Sequence, residues 1–221
     1  MLKPLVYSPP EHIKLDILFQ DDNLIVLNKP SGLLSVPGRG EEKQDCMLSR
    51  LQAEYPGALV VHRLDMPTSG IIMFALNKDM QKAMGHLFEK KLIYKQYFAK
   101  VHGLLKEKKG IINQPLITDW VNRPKQKIDY ENGKPSQTRF TLISTTNDNN
   151  SFVKLEPVTG RSHQLRVHMS SIGHAILGDE LYGTYQTRNE SFRLLLHAEK
   201  VSFTDPLTNN SIDIHCPVDF I

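Results

Sequence analysis

Length, composition and charge describe an ordinary globular chain. Its 221 residues are within the size of one domain, 40% of them are hydrophobic and 23% are charged. The longest apolar run, residues 71–76, is too short to span a bilayer, and the N-terminal residues lack the apolar stretch of a secretory signal. We therefore expect a cytoplasmic protein with no membrane association. The net charge of +3 permits an acidic partner without requiring one.

Cysteine and histidine positions do not suggest a metal site. Cys46 and Cys216 are the only cysteines and lack a Cys-x-x-Cys spacing, so neither a disulfide framework nor a zinc ribbon is predicted. No His-Glu-x-x-His occurs, and His163 and His168 are five positions apart, which does not align them on one helical face. We expect no metal and no cofactor.

The first half of the chain predicts a hairpin, two helices and two buried strands. Residues 17–19 and 24–27 are apolar and flank a polar turn, which is typical of a β-hairpin. Helical spacing of apolar residues follows at 47–55 and at 80–88, where Asn77 is the predicted N-cap. The apolar runs at 59–61 and 71–76 indicate buried strands.

The second half adds mainly strands. Residues 94–101, 138–142, 152–155, 194–197 and 201–203 predict strands, and residues 162–172 predict a helix that Gly173 ends. Helices and strands do not follow a strict βαβ alternation, which favours an α+β fold around a mostly antiparallel sheet. No linker or repeat divides the chain, so we expect one domain over residues 1–221, with residues 1–15 as an N-terminal extension.

The segment between the two buried strands combines a carboxylate with a guanidinium. Residues 61–70 read Val-His-Arg-Leu-Asp-Met-Pro-Thr-Ser-Gly, which places Asp65 two positions after Arg63. Pro67 restricts the backbone and Gly70 permits conformations closed to other residues, so a stiff loop suited to catalytic groups is predicted. An Arg-x-Asp triplet by itself is more often a structural ion pair at a sheet corner.

Residues 62–70 resemble the hallmark of the RluA family of pseudouridine synthases, His-Arg-Leu-Asp followed two residues later by Thr-Ser-Gly. Residues 95–99, 160–168 and 193–198 agree with the family in order and spacing, and the resemblance covers residues 17–217. Residues 28–38 and 119–127 are most similar to the dual-specificity members of the family. Longer members carry an N-terminal S4 domain, which we do not expect here.

The resemblance implies an isomerase that detaches uracil from its ribose, turns it and rejoins it through carbon, in a cleft across a mixed central sheet. One carboxylate can suffice because no water is added, whereas hydrolytic glycosidases usually need two. Asp65 would be that carboxylate, either as the nucleophile at the anomeric carbon or as the base that removes a ribose proton. The family pairs it with the position of Arg166, although an exposed helical arginine is the commoner fate of that residue type. Tyr97 would stack on uracil or shuttle a proton through its hydroxyl.

The resemblance also implies base flipping, with Arg63 filling the vacated stack. His62 would support the loop by hydrogen bonding, and Leu195 or Leu196 would form the apolar wall of the pocket. Arg123, Lys125 and Lys127 form a basic stretch near Trp120 that could follow phosphates, although such runs are usually only solvated. The remaining candidates for substrate binding come from the family motifs: Thr68, Arg161, His163 and Gln164.

The implied substrates are a tRNA anticodon stem-loop and a loop of 23S rRNA, modified by a monomeric enzyme. Two alternatives stay open at this point: a noncatalytic RNA-binding or RNA-folding protein on the same scaffold, and a synthase that acts on only one of the two RNAs. Hydrolytic cleavage of nucleosides would need a second carboxylate or a metal, for which no motif is present.

Overall fold

A ten-stranded sheet runs through the computed structural model, which describes residues 7–11 and 14–220. Most of the predicted N-terminal extension, residues 1–6 and 12–13, lies outside the described residues. The strands are β1 Ile17–Gln20, β2 Leu24–Lys29, β3 Leu59–Val60, β4 Ser69–Ala75, β5 Tyr94–Val101, β6 Lys109–Asn113, β7 Leu116–Thr118, β8 Gln126–Ile128, β9 Gln137–Thr145, β10 Ser151–Pro157, β11 Leu196–Thr204 and β12 Ser211–His215. The helices are α1 Met47–Glu54, α2 Lys78–Glu89, α3 Gln164–Ser171 and α4 Tyr185–Asn189.

The strand order confirms a mixed, mostly antiparallel sheet. Eight strands follow the path β1-β2-β4-β11-β5-β10-β9-β6, with β3 beside β4 and β12 beside β11, while β7 and β8 form a separate two-stranded sheet. Among the strands of the described residues, only the β4–β11 pairing is parallel, and it is short, joining Ser69 to His197 and Gly70 to Ala198. In the described part of the chain, we find no helix with the length and apolar character needed to cross a membrane.

Most predicted elements are present, and the differences have local causes. Asn77 caps α2 by accepting a hydrogen bond from the Met80 N–H at 2.9 Å, as predicted. Helix α3 begins at Gln164 rather than at residue 162, because His163 adopts a left-handed backbone conformation with φ 54°. The sequence pattern did not reveal β6, β7, β8, β12 and α4, which are short or lie at exposed edges.

Two hydrophobic clusters meet near the centre of the sheet. The first contains β2, β4 and α2, and every residue of β4 is buried. The second is built from β5, β10 and α3 and contains Val153 and Leu155. Tyr97 packs against both clusters, so it marks their junction. The loop that carries Asp65 leads into the first cluster, and α3 belongs to the second.

Gly70 is where the loop enters β4 and meets β11. Its φ is +101°, a region that residues with side chains rarely adopt, and an added Cβ would lie 2.3 Å from the Ala198 carbonyl oxygen. The close approach allows the parallel pairing that joins the two clusters. A side chain at this position would therefore push β11 away from the loop.

We predict that Gly70→Ala lowers the free energy of unfolding by about 2 kcal/mol or more, because it adds backbone strain and a clash with β11. Urea denaturation monitored by circular dichroism would measure the change. The matched control is Gly85→Ala in α2, where an added Cβ meets no atom within 4 Å. That variant should be neutral or gain up to about 1 kcal/mol. Equal stability of the two variants would contradict the packing argument.

Candidate active site

A cleft of about 530 Å³ lies where the two clusters meet. Its walls come from residues 61–68, from β5, from residues 157–163 and from α3. Nine of the residues predicted from the sequence line this one space: His62, Arg63, Asp65, Thr68, Tyr97, Arg161, His163, Gln164 and Arg166.

Asp65 faces two basic side chains in the cleft. Arg166 Nη1 lies 3.4 Å from Asp65 Oδ2, and His163 Nε2 lies 3.9 Å from Asp65 Oδ1. The carboxylate keeps 25% of its side-chain surface exposed, whereas Arg166 keeps only 3%. Arg166 is therefore a buried cation beside the carboxylate and not an exposed helical arginine. The open side of Asp65 is available to a ligand.

Arg166 is held by a second carboxylate that the sequence did not reveal. Its Nε and Nη2 donate to Asp179 Oδ2 and Oδ1 at 2.8 and 2.7 Å, and Asp179 also accepts from the N–H groups of Leu181 and Tyr182. Burial acts to raise the pKa of Asp179, but Arg166 and these N–H groups hold it below its usual value. Burial likewise acts to lower the pKa of Arg166, and Asp179 together with Asp65 raises it. Both groups stay ionised.

Tyr97 extends from β5 into the cleft. Burial raises the pKa of its hydroxyl, and the charge of Asp65 raises it further. The phenol is therefore protonated at neutral pH and can donate a hydrogen bond. Its ring lines the same space as Asp65, which is compatible with either role expected for it.

Lys29 supports the loop from beneath. This residue is fully buried, and its Nζ donates to the carbonyl oxygens of Pro30, Leu33 and Met66 at 2.9, 2.7 and 3.1 Å. Burial lowers the pKa of Lys29 to about 7, against the opposing charge of Asp65. A lysine after an apolar strand gives no sequence signal for this role, although it lies within residues 28–38, which carry the family resemblance.

Two serines and a histidine fasten the same loop. Ser31 Oγ donates to the Pro67 carbonyl at 2.7 Å, and Ser35 Oγ both donates to the Leu64 carbonyl and accepts from the Leu64 N–H. His62 Nε2 accepts a hydrogen bond from the N–H of residue 73 in β4 at 3.0 Å, and burial lowers the pKa of His62 to about 3. The neutral ring acts on the backbone, as a supporting role requires.

The side-chain amide of Gln164 is occupied within the protein. Its Oε1 accepts from Thr159 Oγ1 and from the Arg161 N–H, and its Nε2 donates to the Gln137 carbonyl and to Thr138 Oγ1. These four partners tie residues 159–161 to β9. The contacts favour a positioning role for Gln164 rather than the predicted direct contact with substrate.

His163 and Tyr182 link the cleft to the β7–β8 hairpin. The Tyr182 hydroxyl lies 2.7 Å from His163 Nδ1 and also accepts from the Gln126 N–H at 2.7 Å. Burial lowers the pKa of His163, which favours the neutral ring, while the charge of Asp65 acts in the opposite direction. Tyr182 was not a sequence candidate.

The apolar wall is Leu196 and not Leu195. Leu196 lines the cleft and is buried in the second cluster. Leu195 is not among the lining residues, and its backbone bonds to Leu177 and Lys100. Successive residues of an extended segment point to opposite sides, so only one of the two leucines can face the cleft.

The basic residues Arg123, Lys125 and Lys127 lie outside the cleft, on the β7–β8 hairpin. The Arg123 guanidinium stacks 3.4 Å from the centre of the exposed Trp120 ring, and Lys127 lies 3.8 Å from Asp129. The hairpin is therefore a basic and aromatic surface beside the site. Among the described residues, no three His, Cys, Asp or Glu side chains are grouped so that they could hold a metal ion.

Comparison with known proteins decides the family. The model of the RNA pseudouridylate synthase family matches residues 23–171. The chain belongs to this family. It is 50% identical over 214 residues to the dual-specificity RNA pseudouridine synthase RluA of Escherichia coli (strain K12), covering 97% of this chain and 98% of that one. The RluA of Vibrio parahaemolyticus is 48% identical over 98% of this chain and 88% of its own.

Solved structures agree with the assignment. Human RNA pseudouridylate synthase domain containing 1 superposes with a TM-score of 0.82 at 29% identity, covering 97% of this chain and 87% of the other. Human RNA pseudouridylate synthase domain containing 4 superposes with a TM-score of 0.74 at 25% identity, covering 93% of this chain and 89% of the other. The protein is thus a pseudouridine synthase of the RluA family, an isomerase that acts on RNA.

We predict that Asp179→Asn lowers kcat by about 10²-fold, because Arg166 loses its ionic anchor and shifts relative to Asp65. The free energy of unfolding should fall by about 3 kcal/mol, since a buried cation loses its partner. Tritium release from uridine-labelled RNA and urea denaturation would measure the two effects.

The control for this prediction is Asp213→Asn on β12. Asp213 pairs with Lys200 and His215 at the surface, where ion pairs contribute little. Its kcat should match that of the wild type. A normal kcat in Asp179→Asn would contradict the anchoring role.

Proposed function

We propose that this enzyme converts uridine to pseudouridine in both a tRNA anticodon stem-loop and a loop of 23S rRNA, as a cytoplasmic monomer without metal or cofactor. The dual specificity rests on relatives about half identical over nearly the full length, whose names carry that description. One domain over residues 1–221 would provide the catalytic unit.

The observation that carries the proposal is the single carboxylate of the cleft. Among the described residues that line it, Asp65 is the only Asp or Glu. A hydrolytic mechanism usually needs a second carboxylate to activate water, whereas isomerisation recaptures its own leaving group. Asp65 can attack the anomeric carbon or remove the adjacent ribose proton, and its open side faces the space in which uridine would lie.

Arg166 and Tyr97 would serve as partners of Asp65. Arg166 stabilises the ionised carboxylate while its stronger contacts are to Asp179, so the lone pairs of Asp65 stay largely available. Tyr97 would stack on uracil, and its protonated hydroxyl could supply or accept the proton that moves when the base rejoins through carbon. Leu196 would cover the other side of the base.

Arg63 is suited to fill the gap left by the flipped base. It is exposed at the mouth of the cleft, and within the described residues its guanidinium has neither a hydrogen bond nor an ion pair. A planar side chain that is free of protein partners can stack in the RNA at little cost. Thr68, Arg161 and His163 would contact the extruded nucleotide from the other walls.

The β7–β8 hairpin would bind the RNA beside the cleft. Arg123, Lys125 and Lys127 supply positive charge, and the exposed Trp120 supplies a surface for stacking. Through Tyr182, the hairpin is joined to His163 in the cleft wall. Contacts there would favour particular loop shapes, which is how RNA enzymes of one fold select different uridines.

The test is pseudouridine mapping at single-nucleotide resolution after incubation of the purified enzyme with unmodified tRNA and 23S rRNA transcripts. We predict product in one anticodon loop and one rRNA loop, and none with Asp65→Asn, which still binds both RNAs because its volume is unchanged. Reaction of one transcript alone would reject dual specificity. Near-normal turnover by Asp65→Asn would reject the mechanism.

We also predict that Arg63→Ala lowers kcat/KM on a structured loop by about tenfold or more, because no side chain then fills the space that the flipped base leaves in the stack. The defect should shrink on a substrate whose target uridine is already unstacked. Single-turnover rates on the two substrates would measure it, and circular dichroism would verify the fold. An equal loss on both substrates would contradict the filling role.

A further inference from the structure

A second, smaller groove opens from the side of the cleft. Its volume is about 370 Å³, and it lies between the end of α2, the start of β5 and residues 158–161. Five residues line both this groove and the larger cleft, so the two spaces are continuous: Phe88, Lys95, Thr159, Gly160 and Arg161.

Lys95 stands at the boundary between the two spaces without a protein partner. Within the described residues, its ammonium group makes no hydrogen bond and no ion pair, although the side chain is half-buried. Burial lowers the pKa of Lys95, and no carboxylate acts against this shift. A cation that is partly removed from water and unpaired is costly, which favours a site completed by an anion from outside.

The backbone around Lys95 leaves room for a ligand. A Cβ added at Gly160 would lie 3.9 Å from Lys95 Nζ, so the ammonium group lies beside a position without a side chain. Lys91 and Arg161 also line the groove and are exposed. Glu89 is the acidic residue of the groove, but its side chain is 73% exposed and lies 3.8 Å from His86. The groove therefore carries a net positive charge.

Lys95 is placed for the RNA backbone rather than for the reacting atoms. It lies on the same face of β5 as Tyr97, two residues or about 7 Å away along the strand. Asp65 already has Arg166 and His163 as its basic neighbours. Phe88, whose ring centre lies 5.1 Å from that of His62, stands at the edge of both spaces and offers an aromatic surface to a neighbouring base.

We propose that Lys95 binds a backbone phosphate of a nucleotide adjacent to the target uridine, in the groove between α2 and residues 158–161. The inference rests on the proposed function, because it requires an RNA strand that runs past Asp65 on both sides of the target nucleotide. The lysine acts as a point charge with three donors and positions the strand so that the flipped nucleotide enters the cleft.

The test replaces the phosphates around the target uridine with neutral methylphosphonates, one at a time, in a stem-loop that the wild type modifies. The wild type should lose about tenfold in kcat/KM at one flanking phosphate. Lys95→Met should show that loss already on unmodified RNA and no further loss at the same phosphate. Lys95→Arg should restore most of the activity, and the salt dependence of binding by Lys95→Met should fall by about one unit of slope.

Lys82→Met is the matched control, because Lys82 is exposed on α2 and lines neither space. It should keep the activity and phosphate sensitivity of the wild type. Additive losses for Lys95→Met at every phosphate, no loss at all, or a loss in kcat with unchanged RNA affinity would each overturn the phosphate site. Urea denaturation would verify that Lys95→Met is folded.

The test separates this inference from the proposed substrates. The stem-loop is taken from whichever cellular RNA the wild type modifies, as found by mapping of total RNA. If neither the tRNA nor the rRNA loop reacts, the substrate proposal fails while the phosphate test proceeds on the RNA that does react.

Discussion

One guanidinium between two carboxylates is the constraint on which the site depends. Arg166 is almost fully buried, and such a cation is stable in a folded protein only when its charge and its donors are satisfied. Asp179 satisfies them with two short hydrogen bonds, and Asp65 receives a single contact at 3.4 Å. This unequal division has a chemical consequence. A bidentate ion pair with Asp65 would occupy the lone pairs of that carboxylate. The single, longer contact compensates the charge of Asp65 and leaves its oxygens free to react.

The rest of the fold brings this pair together from distant parts of the chain. The loop that carries Asp65 leads into the first cluster, and α3, which carries Arg166, packs in the second, so the distance between the two side chains depends on the pairing of β4 with β11 and of β11 with β5. Gly70 permits the close approach at that junction. Lys29, donating to three carbonyls, then fixes the loop relative to β2. A site on rigid elements, held by such contacts, keeps its geometry when a ligand binds.

Sequence reasoning predicted what is local or carried by a contiguous motif. The hairpin of β1 and β2, the Asn77 cap and the span of β5 follow from periodicity and turn chemistry, and the family motif singled out Asp65, which lines the cleft beside Arg166. It could not find Asp179, because nothing in the position of this aspartate predicts a bidentate ion pair with an arginine 13 residues earlier. It could not choose between Leu195 and Leu196, since both are apolar and only the register of β11 decides. Gln164 belonged to the motif, but its four internal partners are known only from the fold.

The distribution of cations shows how a chain with a net charge of only +3 can engage a polyanion. The fully buried ones are satisfied by the protein: Lys29 by carbonyl oxygens and Arg166 by carboxylates. Arg63 and Lys95, which line the cleft as well, have no hydrogen-bond or ion-pair partner among the described residues. Buried charges of the first kind are bonded within the protein, where they hold the loop and the side chain of Asp65. Unpaired charges of the second kind are available to the phosphates of an RNA. The cations that hold the geometry of the site are thus separate from those that remain open to a polyanion.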